Sequence, residues 1–283
     1  MTGVKDAKKN TRRKRVNSLT KSSRAGRTAT RRHLFDCWPE VSRVIHSAPH
    51  LALFMDFDGT LAALRPRPRD VKPLSASLRR VLRQLTRHRR VKVYVISGRL
   101  LTDLRELVPV PGVQLLGLYG WEGRDGPALE EERQLLRVGR KLLDERLSGI
   151  GQKVWVEDKG MVLAVHYRGA APASIRRARA IVGEVLNRLG SQIHLLRGDK
   201  VWELLPRQLG GKGSAVTALL SQLPQPTFPI FAGDGFSDES AFGVLRHGLT
   251  IYVGGSRRTK ARYFLQNPEE VEMFLGKLEA AIA

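Results

Sequence analysis

The apolar run that begins at Leu51 is interrupted by Asp56 and Asp58, which flank Phe57 and are followed by Gly59 and Thr60. Acids two residues apart on an extended strand project from the same side of it. Two such carboxylates at the end of a buried strand repel each other unless a cation or a proton sits between them. A hard divalent ion such as Mg²⁺ suits an all-oxygen donor set and commonly arrives with a phosphate-bearing substrate. The bland alternative is a strand end that turns through Asp58-Gly59. The Leu53-Phe54-Met55 run directly before the acids weighs against it.

Three further places carry similar chemistry. Gly233-Asp234-Gly235-Phe236-Ser237-Asp238 again ends an apolar strand in acids, although Asp234-Gly235 also suits an ordinary turn and Asp238 a helix cap. Ser97-Gly98-Arg99 lies between a strand and a helix, where a hydroxyl and free N–H groups can hold a phosphate. On its own it reads equally as a plain strand-to-helix turn. Gly210-Gly211-Lys212-Gly213 precedes a helix and offers one cation, in a pattern that is also that of a flexible loop. The G-x-x-x-x-G-K-[ST] spacing of nucleotide hydrolases is absent.

The elements that must position these groups alternate. Apolar runs at Leu51–Phe57, Val91–Ile96, Phe228–Ala232 and Thr250–Val253 predict strands. Leu78, Val81, Leu82 and Leu85 have helical spacing, as do Leu101, Leu104 and Val108, and Ala241–Leu245 continues behind the Asp234 turn. A last helix starts with Asn267 as cap, Pro268 and two glutamates, followed by Val271, Phe274, Leu275 and Leu278. Strand–helix alternation with polar motifs at strand ends predicts an α/β fold, a parallel Rossmann-like sheet flanked by helices with ligands at its carboxyl edge. The middle of the chain breaks the rhythm. A helix over Leu135–Leu147, strands at Val154–Glu157 and Met161–Tyr167, a helix over Ile175–Leu189, and strands at Ile193–Leu196 and Lys200–Leu205 make an α+β module. Asp158-Lys159-Gly160 and Gly198-Asp199 suit its hairpins. It is expected as an insertion at 126–205, between core segments 34–125 and 206–283, with hinges near Gly126 and Pro206.

Charge points elsewhere at first. The 283 residues carry 49 Lys+Arg against 27 Asp+Glu, a net charge of +22, which invites a nucleic-acid reading. Residues 1–33 alone hold 12 of those cations and one acid, so half the excess sits in a segment too poor in apolar residues to bury a core. That segment is expected as a disordered basic tail. It has no apolar stretch of secretory type, but its Arg/Ser-rich, acid-poor character overlaps with that of organelle transit peptides. One cysteine, Cys37, excludes an internal disulfide and fits a reducing, cytoplasmic setting. No stretch is long and apolar enough to predict a membrane span.

The order of the motifs carries more than any one of them. D-x-D-G-T, then S-G-R, then a lysine, then G-D-x-x-x-D resembles the haloacid-dehalogenase-type phosphatase superfamily across residues 50–283, with the inserted module similar to its α+β cap. The likeness narrows to trehalose-6-phosphate phosphatases through Glu157-Asp158-Lys159-Gly160, His166-Tyr167-Arg168, Val201-Trp202-Glu203-Leu204-Leu205-Pro206, Lys212-Gly213, the run Gly233–Phe242, Val253-Gly254 and Thr259-Lys260-Ala261. Two departures stand out. Gly235 replaces a second acid, and Tyr119 replaces a histidine in the element Gly117-Leu118-Tyr119-Gly120-Trp121-Glu122.

The resemblance implies an enzyme of trehalose biosynthesis in which Asp56 is the nucleophile and Asp58 the general acid and base. Mg²⁺ would be held by Asp56, the Asp58 carbonyl and Asp234, with Asp238 positioning the site. Ser97, Gly98 and Lys212 would bind the phosphoryl group. Arg99, in the loop of Ser97, and Glu122, at the core–cap junction, would bind the substrate, and Glu157, Lys159 and Glu203 would grip the sugar, with His166 and Arg168 as weaker candidates. His166 equally suits a hydrogen-bonded core residue and Arg168 a solvated one. A small sugar phosphate is the expected partner of a monomer. The rivals are a phosphatase for a sucrose- or glucosylglycerol-type phosphate, and a nucleic-acid binder on an inactive scaffold. The latter is disfavoured because every acid the reaction needs is present and no zinc-ligand or RNA-recognition signature appears.

Overall fold

The structure is a computed structural model, and it describes residues 31–123, 129–255 and 257–282. Most of the basic tail and the hinge near Gly126 lie outside the described residues. Among the described residues, eleven strands run β1 (Arg32–His33), β2 (His50–Met55), β3 (Val91–Ile96), β4 (Val113–Leu116), β5 (Trp155–Asp158), β6 (Leu163–His166), β7 (Ile193–Gly198), β8 (Val201–Pro206), β9 (Thr227–Gly233), β10 (Leu249–Val253) and β11 (Tyr263–Leu265). The α-helices are α1 (Trp38–Ser47), α2 (Ala76–Arg87), α3 (Leu101–Leu107), α4 (Glu130–Leu147), α5 (Pro172–Leu189), α6 (Gly211–Ser221), α7 (Glu239–Val244) and α8 (Pro268–Ile282).

Seven strands form a parallel sheet in the order β1-β11-β10-β9-β2-β3-β4. Inside it, between β9 and β3, β2 is buried on both sides, which is why HLALFM shows no polar alternation. Leu51, Leu53 and Met55 join Val41, Leu82, Phe274 and Leu278 from α1, α2 and α8 in one core layer. Ala52 and Phe54 face the other way, onto Ala215, Val216, Leu219 and Phe242 from α6 and α7. The fold is therefore the expected helix-flanked parallel sheet. Asn267 accepts from the Glu270 amide as predicted, at 2.9 Å, and starts α8.

The inserted module is a second, antiparallel sheet in the order β5-β6-β8-β7. Pleat alternation gives it two unlike faces. Val165, Trp202 and Leu204 pack against α4 and α5, while Glu157, His166 and Glu203 look the opposite way, towards the core. A small apolar cluster of Leu118, Tyr119, Met161, Val162, Leu205 and Leu209 joins module to core.

The start of the core needs correction. Arg32 and His33, expected in the tail, form edge strand β1 beside β11. The guanidinium of Arg31 sits over Tyr252 and Phe264, and His33 bonds Glu270 at 2.9 Å. These contacts fix a segment that has no apolar pattern of its own.

Candidate active site

Three neighbouring strands end side by side, and each delivers one motif. β2 ends at Asp56, β3 at Ser97 and β9 at Asp234, at the carboxyl edge of the sheet. The chain leaves β2 towards β3 on one side, and β9 lies on the other. Such a switch in strand order opens a crevice above it.

Asp56 is buried and its Oδ1 accepts from the Phe57 amide at 2.7 Å. The Nζ of Lys212 lies 2.7 Å from the same oxygen and 2.8 Å from Asp238 Oδ1. Lys212 is no loop residue: it occupies the first turn of α6 and is only 1% exposed. Burial pushes the Asp56 carboxyl up to about 7, and Lys212 only partly offsets this. Asp234 is pushed up to about 9 by burial and by the charges of Asp56 and Asp238. For Lys212, burial opposes the charge, but Asp238 and Asp56 prevail and hold its pKa above the ordinary value.

Asp56, Asp234 and Asp238 bring one carboxylate oxygen each within 4.8 Å of one another. The Asp56 and Asp234 carboxyls are both raised first by burial and then by neighbouring acids, and a divalent cation between them would offset both effects. Asp238 is already engaged. Its Oδ1 meets Lys212 and its Oδ2 accepts from the Gly235 amide at 2.8 Å, so it does not cap α7 with its side chain as one alternative had it. Asp56 and Asp234 keep more freedom to bind an ion. Gly59, at φ +81°, leaves the space that the Asp234 carboxylate fills, and any Cβ there would collide with it.

Asp58 is not one of the three converging acids, although its charge still adds to the rise at Asp56. Arg99 holds it in a two-pronged fork, Nε to Oδ2 and Nη2 to Oδ1, both 2.7 Å, and Nη2 also bonds the Pro68 carbonyl. Arg99, expected on the substrate, is thus committed to Asp58 at the cavity wall. Ser97 is buried, with its Oγ accepting from the Arg99 amide at 3.3 Å.

The module closes the site from above, and the two sheets enclose a cavity of about 510 Å³. Lys159 reaches down from the β5–β6 hairpin to the Gly98 carbonyl, 3.1 Å away, and also pairs with Glu203 Oε1 at 3.2 Å. Glu203 is 2% exposed and accepts a second bond from the Tyr119 hydroxyl. Glu157 binds His166 Nε2 at 2.8 Å; that bond and Lys159 lower its carboxyl although burial opposes them. Arg168 also lines the cavity, where Asp199 holds it at 2.6 Å.

Two expected residues do not line the cavity: Asp238, which is fully buried, and Glu122. Glu122 accepts from the Leu101 amide at 2.6 Å, because the tight turn Gly117–Glu122 folds it under the start of α3. It positions the loop that carries Ser97 and Arg99. Tyr119, singled out in the sequence only as a departure, lies in that same turn at φ +63°, a strained conformation for a non-glycine residue. Its ring passes so close to Gly98 that a Cβ there would lie 2.8 Å from it. Removing the hydroxyl in Tyr119→Phe leaves a buried Glu203 oxygen without its donor. We expect a loss of about 1–3 kcal/mol in urea unfolding; an unchanged midpoint would mean that this bond does not tie module to core.

A family model described as trehalose-phosphatase matches residues 54–269, from β2 to the first turn of α8. The chain belongs to the trehalose-phosphatase family. Within that family, the trehalose-phosphate phosphatase of Mycobacterium ulcerans is 31% identical over 253 residues, covering 84% of this chain and 63% of its own length. That of Mycobacterium tuberculosis (strain H37Rv) is 32% identical over 245 residues, 80% of this chain and 61% of its own. The chain thus spans under two thirds of the length of these curated relatives. In fold it is similar to the C-terminal domain of the Candida albicans trehalose-6-phosphate phosphatase, with a TM-score of 0.76 at 21% identity over 91% of this chain and all of that one. No helix among the described residues is long and apolar enough to cross a membrane.

Proposed function

We propose that this member of the trehalose-phosphatase family is a Mg²⁺-dependent phosphatase that hydrolyses trehalose 6-phosphate to trehalose and phosphate. One observation carries the reading. Three adjacent strand ends gather Asp56, Ser97 and Asp234 around Lys212, beneath a module face that offers fixed carboxylates and an ammonium to sugar hydroxyls.

In the reaction, a carboxylate oxygen of Asp56 forms a bond to phosphorus while the bond from phosphorus to the sugar oxygen breaks. Asp58 gives that departing oxygen a proton. It then takes one from the water that attacks the aspartyl-phosphate, which releases phosphate and restores Asp56. An incoming phosphate dianion competes for Arg99, which frees Asp58 from the fork that holds it. Asp56, the Asp58 carbonyl and Asp234 are the groups that would hold Mg²⁺, whose charge when bound screens the repulsion between carboxylate and phosphate. Ser97, the Gly98 loop and Lys212 stabilise charge on the transferring oxygens. Asp238 keeps Lys212 aimed at Asp56. Glu157, Lys159 and Glu203 take the sugar hydroxyls, with His166 and Arg168 behind them. The module at 126–205 acts as a cap that excludes water from the core segments on either side. A monomer working in the cytoplasm fits this chemistry.

The test is phosphate release across a panel of sugar phosphates, with chelator and with Mg²⁺ restored. Trehalose 6-phosphate should be the preferred substrate, and activity should vanish with the metal and return with it. A preference for sucrose- or glucosylglycerol-phosphate would transfer the protein to that alternative. Turnover that ignores chelation would remove the cation from Asp56 and Asp234.

A further inference from the structure

The roles above leave one conspicuous side chain unused. Trp155 starts β5, at the edge of the module's sheet, and is 43% exposed. Its partner across the strands is His166, and it stands two residues before Glu157, so all three share the face that looks into the cavity. The indole stacks on the His166 imidazole at 4.1 Å between centroids and 11° between planes. Glu157 fixes that imidazole through its Nε2 at 2.8 Å. The ring plane is therefore set before anything binds, and little rotamer entropy remains to be lost.

An exposed indole on the face that carries Glu157, His166 and Glu203 serves no core. Trp155 belongs to none of the apolar clusters on either side of the module. A pyranose ring is amphipathic: its hydroxyls radiate from the rim and its C–H groups form apolar faces. Glu157, Lys159 and Glu203 can satisfy the rim only. A flat aromatic surface suits the face, combining apolar burial with a tolerant geometry.

Position along the strand decides which ring. Lys159 touches the Gly98 carbonyl next to Ser97, so the hairpin end of β5 marks the phosphate end of the cavity. From Glu157 to Trp155 is a further step of about 7 Å along the strand, on the scale of one sugar ring. Building on the phosphatase reading, we infer that Trp155 is the stacking platform for the second, unphosphorylated sugar ring. It is thereby the residue that separates a disaccharide phosphate from a monosaccharide phosphate.

The experiment compares kcat/KM for trehalose 6-phosphate with kcat/KM for glucose 6-phosphate in the unaltered protein, Trp155→Phe and Trp155→Ala. Taking the ratio on one preparation cancels any inactive fraction, so partial unfolding cannot imitate the effect. The ratio should fall roughly tenfold in Trp155→Ala and by less in Trp155→Phe, which keeps a ring. A high ratio in the unaltered protein that survives in Trp155→Ala overturns the platform alone. A ratio near one in the unaltered protein overturns the disaccharide reading itself, and the platform falls with it.

Discussion

Asp56→Asn should abolish phosphate release, by about 10⁴-fold or more, while the protein stays folded. The amide keeps the shape of the carboxylate, and its carbonyl oxygen can still accept from the Phe57 amide. It has no negative oxygen with which to attack phosphorus. Stability should move the other way. Asp56 stands among Asp234, Asp238 and Asp58, and burial lifts it to about 7 from an ordinary 3.8. A carboxyl raised in the folded state disfavours folding progressively as pH climbs from its unfolded value through its folded one. Removing it cancels that penalty, so without added metal the variant's urea midpoint at pH 8 should equal or exceed that of the unaltered protein. Turnover within tenfold of normal would exclude Asp56 as nucleophile. A lower midpoint would mean that its bond to Lys212 outweighs the crowding.

Lys212→Met should lose both activity and stability. The methionine fills much of the same volume but supplies no charge to a site that is almost wholly closed to water. Asp56 and Asp238 would then face each other across the space where the ammonium joined them. Breaking a buried pair from one side typically costs about 3–5 kcal/mol, because the stranded charge keeps its desolvation penalty. Loss of a donor to the transferring phosphoryl group accounts for a fall of about 10²–10³-fold in kcat. The sign of the pH response follows from the same carboxylates. Without the ammonium they take up protons more readily, so the deficit in urea midpoint should shrink as pH falls from 8 to 5. An equal deficit at both values would show that packing, not charge, holds α6 to the strand ends.

The fold was legible where segments were long or doubly buried. β2, β3 and β9 are continuous apolar runs because both faces of the central sheet are covered. α5 announces itself through Ala178, Val182, Val185 and Leu189. β4 and β11 were missed because four and three residues cannot display a period. α1 was missed too, a ten-residue helix that starts with proline in its first turn. β1 was hidden inside a run of cations.

For the site, motif order located the acids, Ser97 and Lys212, since each falls at a strand or helix end. Their partnerships were out of reach. Nothing in the sequence pairs Arg99 with Asp58, which requires the loop that carries Pro68 to lie alongside. Nor does spacing reveal that Glu122 turns away or that Trp155 stacks on His166, because both depend on a turn or a register. Tyr119 was visible as an unusual residue, but its φ of +63° and its hold on Glu203 belong to three dimensions.

The position of β2 also matters while the chain is being made. It pairs with β3 on one side within the first part of the core, yet its other edge waits for β9, where His50 meets Thr227. The whole inserted module emerges from the ribosome in between. Until then the HLALFM strand offers an open row of backbone donors and acceptors, flanked by uncovered apolar side chains. The strand that leads into Asp56 and Asp58 is thus prone to pair with the wrong chain in the newborn protein. A late-arriving β9 makes closure of the sheet a slow, long-range step.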